Sequence, residues 1–162
     1  MDARITPCIC YDGAAEEAAR FYAATFPDSR VDRVTHAPGD YPAGEKGAVL
    51  TVEFTVCGLP MLALNAGPQF APTDTVSFQI HTQDQAETDR LWDAIVGDGG
   101  SEMACSWCKD RWGVAWQIVP RQLTEALRHP DPAAAARAFQ AMMGMRRIDI
   151  AAIEAAVRGE TE

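Results

Sequence analysis

Alternation of apolar and polar residues is clearest along Ala48–Val56, where every second side chain is apolar and large. A period of two residues is typical of a β-strand with one buried face. Cys57-Gly58 then forms a turn signal, and a second apolar run follows, so this region is predicted to be a β-hairpin. The other segments with a strand pattern are Ile5–Tyr11, Val31–His36, Pro60–Asn65, Thr75–Thr82 and Val114–Val119.

Two segments have helical spacing of their apolar residues instead. Ala14–Phe26 carries two acids in its first turn, which suits the positive end of a helix dipole. Gln85–Val96 has the same kind of spacing and runs into the glycine-rich segment Gly97–Gly100, which predicts a helix end. Pro38–Gly47 is rich in glycine and proline and is predicted to be a loop.

The residues after Pro120 change in character and predict short helices rather than strands. Gln122–Arg128 can form one helix, and Asp131 followed by Pro132 is a start signal for a second, which Gly144 ends. Asp149 can cap a third helix. The apolar residues predicted to form one stripe along each of the second and third helices are Ala135, Phe139, Met142, Met143, Ile150, Ile153 and Val157. They could pack on their own sheet or against a second copy of the chain.

A tryptophan-rich stretch, Cys105–Pro120, occupies the centre of this organisation. A polar turn around Lys109–Gly113 separates two apolar runs, which predicts a hairpin that leads into a buried strand. Trp116 and Gln117 have opposite parity on that strand, so Trp116 is expected in the core under a helix and Gln117 on the other face.

The two predicted helices can be superimposed at an offset of 70 residues, which places Phe21 on Leu91 and Tyr22 on Trp92. Each helix follows a strand and precedes a hairpin, so each half has the order β-α-β-β, with an extra pair of strands in the first half. This self-similarity predicts an internal duplication that ends before residue 121.

The amino-acid composition excludes several functional classes for this protein. The 162 residues, 48% of them hydrophobic, predict one soluble globular domain, and a net charge of −9 lacks the basic surface that nucleic-acid binding requires. No apolar run is long enough to cross a membrane, and the N-terminus lacks the apolar core of a signal peptide. An odd count of 5 cysteines favours reduced thiols, so we expect a cytoplasmic protein with no membrane or nucleic-acid partner.

The chain resembles a known family in the stretches YDGAAEEAARFYAATFPDS, LTVEF, MLALNAGP, CSWCKDRWGVAWQIVP and RRIDIAAIEAA. These are similar to the PhnB-like subgroup, often labelled 3-demethylubiquinone-9 3-methyltransferase, of the glyoxalase/bleomycin resistance/dioxygenase (vicinal oxygen chelate) superfamily. The resemblance implies an α+β fold in which paired βαβββ modules form a curved mixed sheet. It places one domain at residues 1–120, with modules at about 1–68 and 73–120, and a helical C-terminal extension at 121–162.

In that superfamily, metal ligands are His, Gln or Glu side chains on four strands. Superposition of the helices carries those positions onto Pro7, Ser77 and Gln117, with the remaining one near Asn65. Proline has no ligand atom, and the other three are poor ligands beside His and carboxylate. We therefore expect no metal and no cofactor.

The sequence contains weaker signals for acid–base, thiol and methyl-transfer chemistry. His81 shares the strand parity of Ser77 and could form a site with Glu53, although a strand-end histidine and a solvated glutamate explain both. Cys105 and Cys108, with Cys8 and Cys10, could provide thiols for zinc or redox chemistry, but free thiols explain them as well. Methyl transfer by a Rossmann-type enzyme needs a glycine-rich turn that opens a helix, whereas the glycines at 97–100 follow one.

The interpretation that best fits these residues is a metal-independent small-molecule-binding protein with an unknown ligand. Neutral hydrogen-bonding groups among aromatic rings suit a small polar or aromatic molecule. The alternatives are a superfamily enzyme, either a lyase, isomerase or dioxygenase with an atypical metal site or the labelled methyltransferase, and a structural dimer with a vestigial cavity. A homodimer is expected because the extension has many apolar residues. The predicted ligand-binding residues are Tyr11, Asn65, Ser77, Gln79, Trp107 and Gln117.

Overall fold

The computed structural model describes residues 4–160, and the chain divides into two compact units between Pro72 and Thr73. Each unit contains a βαβββ module, in which one helix follows the first strand of a four-stranded mixed sheet. The predicted α+β class with paired modules is confirmed. Among residues 4–160, no helix has both the length and the apolar character that a bilayer span requires.

The first unit has the strand order β1-β4-β3-β2, with β1 parallel to β4 and the other neighbours antiparallel. Helix α1 packs on one face, where Tyr22 stacks on Phe54 of β3 with ring centroids 5.9 Å apart. The alternation along β3 thus places its large apolar side chains under the helix. The elements are β1 (Cys8–Tyr11), α1 (Ala15–Thr25), β2 (Arg30–His36), β3 (Val49–Val56) and β4 (Leu59–Asn65).

The second unit repeats this plan with the order β5-β8-β7-β6. Strand β6 was not predicted, because two polar residues show no alternation; it pairs with β7 through Ser101 and Glu102. The module elements are β5 (Ser77–Thr82), α2 (Gln85–Gly97), β6 (Ser101–Glu102), β7 (Trp107–Lys109) and β8 (Ala115–Pro120).

Asp110 holds the predicted hairpin between β7 and β8. Its carboxylate is 4% exposed, and one oxygen, Oδ1, accepts hydrogen bonds from the backbone N–H groups of Trp112 and Val114, both at 3.0 Å. The other oxygen accepts from the indole Nε1 of Trp116 at 2.9 Å. A single buried carboxylate therefore fixes both the turn and the orientation of the core tryptophan.

Three further helices follow β8 and pack together in the second unit, around a cluster that includes Val119, Leu123 and Ile153. The predicted caps are confirmed, since Asp131 accepts from the N–H of Ala133 and Asp149 from that of Ala152. These helices are α3 (Arg121–Leu127), α4 (Pro132–Met143) and α5 (Ile150–Arg158).

The apolar stripe predicted for α4 is only partly buried, since Met142 packs against the cluster of the C-terminal helices. Ala134 and Ala138 are the buried residues, whereas Phe139 is 45% exposed and Met143 53% exposed. Small alanine side chains allow α4 to approach its neighbouring helices closely, and this close packing turns the two larger side chains outward.

Backbone hydrogen bonds attach the C-terminal helices to the module. The turn before β7 has left-handed residues at Cys105 (φ 56°) and Ser106 (φ 72°), and their N–H groups donate to the carbonyl oxygens of Met145 and Arg146, both at 2.8 Å. The side chain of Gln85 adds two bonds, one to the carbonyl oxygen at 148 and one from the N–H at 150. The division of the chain into a domain at 1–120 and an extension at 121–162 stays a prediction.

Candidate functional site

The sheet of the second unit has one face covered by α2 and one face that carries polar side chains. Alternation along β5 buries Ile80 and Thr82 and leaves Gln79 and His81 exposed on the other side. On β8, Gln117 lies directly opposite Gln79 in the parallel ladder, and Trp116 lies on the buried side as predicted. We call the side with Gln79 and Gln117 the open face.

Four of the six predicted ligand-binding residues meet on this open face. Gln79 Nε2 donates to Gln117 Oε1 at 3.1 Å, and Gln117 Nε2 donates to Ser77 Oγ at 2.8 Å. Trp107 on β7 is paired with Gln117 across the ladder. Because the oxygen and nitrogen of an amide can exchange by rotation, this row can reverse its direction and offer either a donor or an acceptor at each end.

Tyr11 and Asn65 lie in the first unit, on the side of the sheet that α1 covers. The Asn65 side chain accepts from the N–H of Ala15 at 3.0 Å and donates to the carbonyl oxygen of Val49 at 2.8 Å. Tyr11 is buried, and its hydroxyl is 3.0 Å from that of Tyr22. These contacts fix α1 on its sheet, and we do not include the two residues in the site.

The first strands of the two units align with each other at an offset that differs by one residue from the offset that aligns their helices. Three residues, 12–14, separate β1 from α1, but only two, 83–84, separate β5 from α2. Superposition of the helices therefore aligned Pro7 with Ser77 wrongly. In the ladders, Cys8 pairs with Leu62 as Gln79 pairs with Gln117, so Cys8 and Leu62 hold the positions that correspond to the two glutamines.

A cleft of about 360 Å³ lies on the open face, between the sheet and the C-terminal helices. The sheet provides Gln79, Trp107, Gln117 and Val119, and the turn before β7 provides Cys105 and Ser106. Sequence reasoning missed the opposite wall, because no local pattern shows that α3 returns over the strand that precedes it. That wall consists of Leu123, Thr124 and Leu127 from α3, Arg128 at the C-cap of α3, and Met142 from α4.

The cysteines do not form a cluster with metal-binding or redox character. All 5 are free thiols, and Cys108 is buried. Burial, with the negative charge of Asp110 nearby, raises the pKa of Cys108 to about 12, so this thiol stays protonated at neutral pH. Burial, followed by the influence of Cys10, raises the pKa of Cys8 as well.

The donor set of the second unit does not fit the metal that the fold family often binds. Within residues 4–160, no group of three or more His, Cys, Asp or Glu side chains could hold a metal ion. The Gln117 oxygen, which would be the ligand atom, already accepts a hydrogen bond from Gln79. Neutral amides and a hydroxyl are also weak ligands for divalent transition metals.

A second cleft, of about 690 Å³, lies near the N-terminal ends of α2 and α5. Most of its carboxylates have structural partners. Asp84 and Asp149 cap the two helices, and Asp89 forms an ion pair with Arg147 at 3.4 Å. We therefore regard this larger cleft as the seam where the C-terminal helices join the module.

Comparison with known proteins identifies one family model and several solved structures that are similar to this chain. The family model described as 3-demethylubiquinone-9 3-methyltransferase matches residues 3–119. No curated protein matches the chain. A PhnB protein from Bacillus cereus is similar in structure, with a TM-score of 0.65 and 24% identity, over 73% of this chain and 99% of that one.

Two more solved structures share the fold. Protein PA1353 from Pseudomonas aeruginosa has a TM-score of 0.60 and 20% identity, over 74% of this chain and 98% of its own. The fosfomycin resistance protein FosX from Mesorhizobium loti has a TM-score of 0.56 and 13% identity, over 80% and 99%. The structural alignments include almost the whole length of these three proteins. Helices α4 and α5 of this chain lie beyond residue 119, where the match to the family model ends.

Proposed function

Because this chain belongs to the family described as 3-demethylubiquinone-9 3-methyltransferase, the PhnB-like group of the glyoxalase/bleomycin resistance superfamily, we propose that it binds a small molecule without a metal. The proposed site is the cleft on the open face of the second unit. Gln117 carries the proposal, because it joins Gln79 and Ser77 in one hydrogen-bonded row beside Trp107. Polar groups that converge next to an aromatic ring in a concave surface are typical of a ligand site.

The residues of the cleft favour binding over catalysis. Of the described residues in its lining, none is an aspartate, glutamate or histidine, so the cleft lacks the carboxylate and imidazole groups that most often act as general acid or base. The methyltransferase description of the family has no further support in this chain. Rossmann-type methyltransferases bind their cofactor at the ends of parallel strands, whereas each sheet here has one parallel pair and otherwise antiparallel pairs.

A fragment titration tests the proposed function. We expect small aromatic and polar fragments to shift the side-chain amide NMR signals of Gln79 and Gln117, and S-adenosylmethionine to leave them unchanged. Gln117→Leu should weaken fragment binding about tenfold, because it removes both hydrogen bonds of the central amide. Gln140→Leu, at an exposed position on α4 outside this cleft, serves as the control. Absence of binding by every fragment would refute the proposal.

We also propose that the protein is a cytoplasmic homodimer. The free cysteines favour a reducing compartment. Phe139 and Met143 lie one helical turn apart on the outer side of α4, and both are about half exposed, so a second copy could cover them. Two-fold dimers are the commonest soluble oligomers.

Light scattering tests the dimer directly, and the expected mass is twice the chain mass of 17.6 kDa. Phe139→Glu should convert most of the protein to monomer at micromolar concentration, because it places a charge in the apolar contact. Ala133→Glu, exposed near the start of the same helix, should leave the mass unchanged. If the unmodified chain is monomeric at every concentration, the proposed dimer is wrong.

A further inference from the structure

The cleft on the open face differs in charge from the rest of the chain. The protein has 23 acidic and 14 basic residues, yet the described residues that line this cleft include an arginine, Arg128, and no carboxylate. The other large cleft has the opposite character, since Asp84, Asp89 and Glu154 are in its lining. A lone cation in an otherwise neutral cleft attracts an anion without competition from nearby acids.

Arg128 is available for a ligand. Most arginines of the chain pair with an acid or a carbonyl; Arg147, for example, bonds Asp93 at 3.1 Å and Arg137 bonds the carbonyl oxygen at 156 at 2.8 Å. The Arg128 guanidinium has no ion pair or hydrogen bond with any residue of the described part of the chain. Its backbone N–H caps α3 by donating to Glu125, so the backbone position is fixed while the side chain stays uncommitted.

Ser106 provides a second polar group for a ligand in the cleft. It is only 3% exposed, it lines the cleft, and its hydroxyl has no hydrogen-bond partner within residues 4–160. The hydroxyl is not among the fully buried side-chain atoms that lack a partner, so it reaches the surface of the cleft, where it can bond a polar ligand atom. The backbone of Ser106 is held by hydrogen bonds to the residues at 118 and 146, so the hydroxyl is preorganised.

The apolar residues that line the rest of the cleft indicate which kind of group the uncharged part of the ligand contains. Trp107 presents an aromatic side chain next to the amides, and α3 and α4 provide Leu123, Leu127 and Met142. A flat apolar group fits such a surface, because an aromatic ring and flexible aliphatic chains can cover both of its sides.

We infer that the cleft binds an organic carboxylate with an aromatic body, whose charge is held by Arg128 and whose polar atoms are bonded by Ser106 and Gln79. This inference rests on the proposed function and adds the class of ligand. It also assigns a role to the C-terminal helices, since Arg128 lies outside the matched residues 3–119. Binding would thus depend on a segment that the family model does not contain.

Matched acids and amides test this inference. Benzoate, phenylacetate and 4-hydroxybenzoate are titrated against the full chain beside benzamide, phenylacetamide and 4-hydroxybenzamide, with the Gln79 and Gln117 amide signals as the readout. We expect at least one acid to bind about five to ten times more tightly than its amide at low salt, as a charge-assisted bond predicts. Arg128→Gln should remove this preference and leave amide affinity unchanged, while Arg128→Lys should keep part of it.

Arg121→Gln is the matched control, because Arg121 is exposed on the same helix and does not line the cleft. It should leave the preference for acids intact, which separates a local contact from the change in net charge. Equal affinity for acids and amides, or an Arg128→Gln variant that keeps the preference, overturns the inference and leaves the proposed function standing. If neither acids nor amides bind, the proposed function itself fails and the inference with it.

Discussion

Asp110→Ala is expected to destabilise the second unit by about 3–5 kcal/mol, the largest loss of stability that we expect from a single substitution. The carboxylate is buried and accepts from the backbone N–H groups of Trp112 and Val114 and from the indole of Trp116. Alanine leaves these donors without their acceptor in a site that water reaches poorly. Asp110→Asn should cost less, because the amide oxygen can keep some of the bonds.

Urea unfolding followed by tryptophan fluorescence measures this effect in the second unit alone, since all 4 tryptophans lie after residue 72. Asp98→Ala is the control: its carboxylate is 3.2 Å from Arg111 but partly exposed, so its loss should cost less than about 1 kcal/mol. If Asp110→Ala and Asp98→Ala unfold at the same urea concentration, the turn does not depend on the buried carboxylate.

Gly100→Ala is expected to destabilise the same unit by roughly 2–4 kcal/mol, because there is no space for a methyl group. A Cβ at this position would lie 2.3 Å from the carbonyl oxygen of Lys109 and 2.4 Å from that of Ile95. Both atoms belong to the backbone, so neither can rotate away. The segment between α2 and β6 would have to move, and β6 with it.

Gly97→Ala provides the contrast. Apart from the adjacent residues and the backbone of its own helix, no atom of the described residues lies within 4 Å of the position that its methyl group would take at the end of α2. Alanine favours a helix more than glycine does, so this variant should be unchanged or more stable by up to about 1 kcal/mol. The same fluorescence experiment compares the two variants. Equal stability of the two variants would contradict the steric argument.

Local signals in the sequence predicted most of the secondary structure, because each depends on neighbouring residues. The caps at Asp131 and Asp149 and the hairpin at Lys109–Gly113 are examples: a short polar side chain near a free N–H, or a polar turn between apolar runs, has the same effect in any fold. Parity also placed Trp116 and Gln117 on opposite faces of β8, whereas the pairing of Ser77 with Gln117 came from the family resemblance.

Features that depend on distant residues were not predictable in the same way. One additional residue between β1 and α1 moved every side chain of β1 to the other face relative to the helix alignment, and this excluded Tyr11 from the site. Arg128 and Leu127 look like ordinary surface positions of a short helix. Only the return of α3 over the open face, which no local pattern encodes, brings them to the cleft.

The position of α3 after β8 has a consequence for synthesis of the protein on the ribosome. Chains emerge from the N-terminal end and fold unit by unit, so the sheet of the second unit can form before the helices that follow it are exposed. The Trp107 and Gln117 side of the cleft is therefore complete earlier than the Arg128 side. Contacts of residues 145–150 with Cys105, Ser106 and Gln85 can lock the wall in place only after α4 has been translated. A nascent chain would complete this cleft late, at the last stage of its folding.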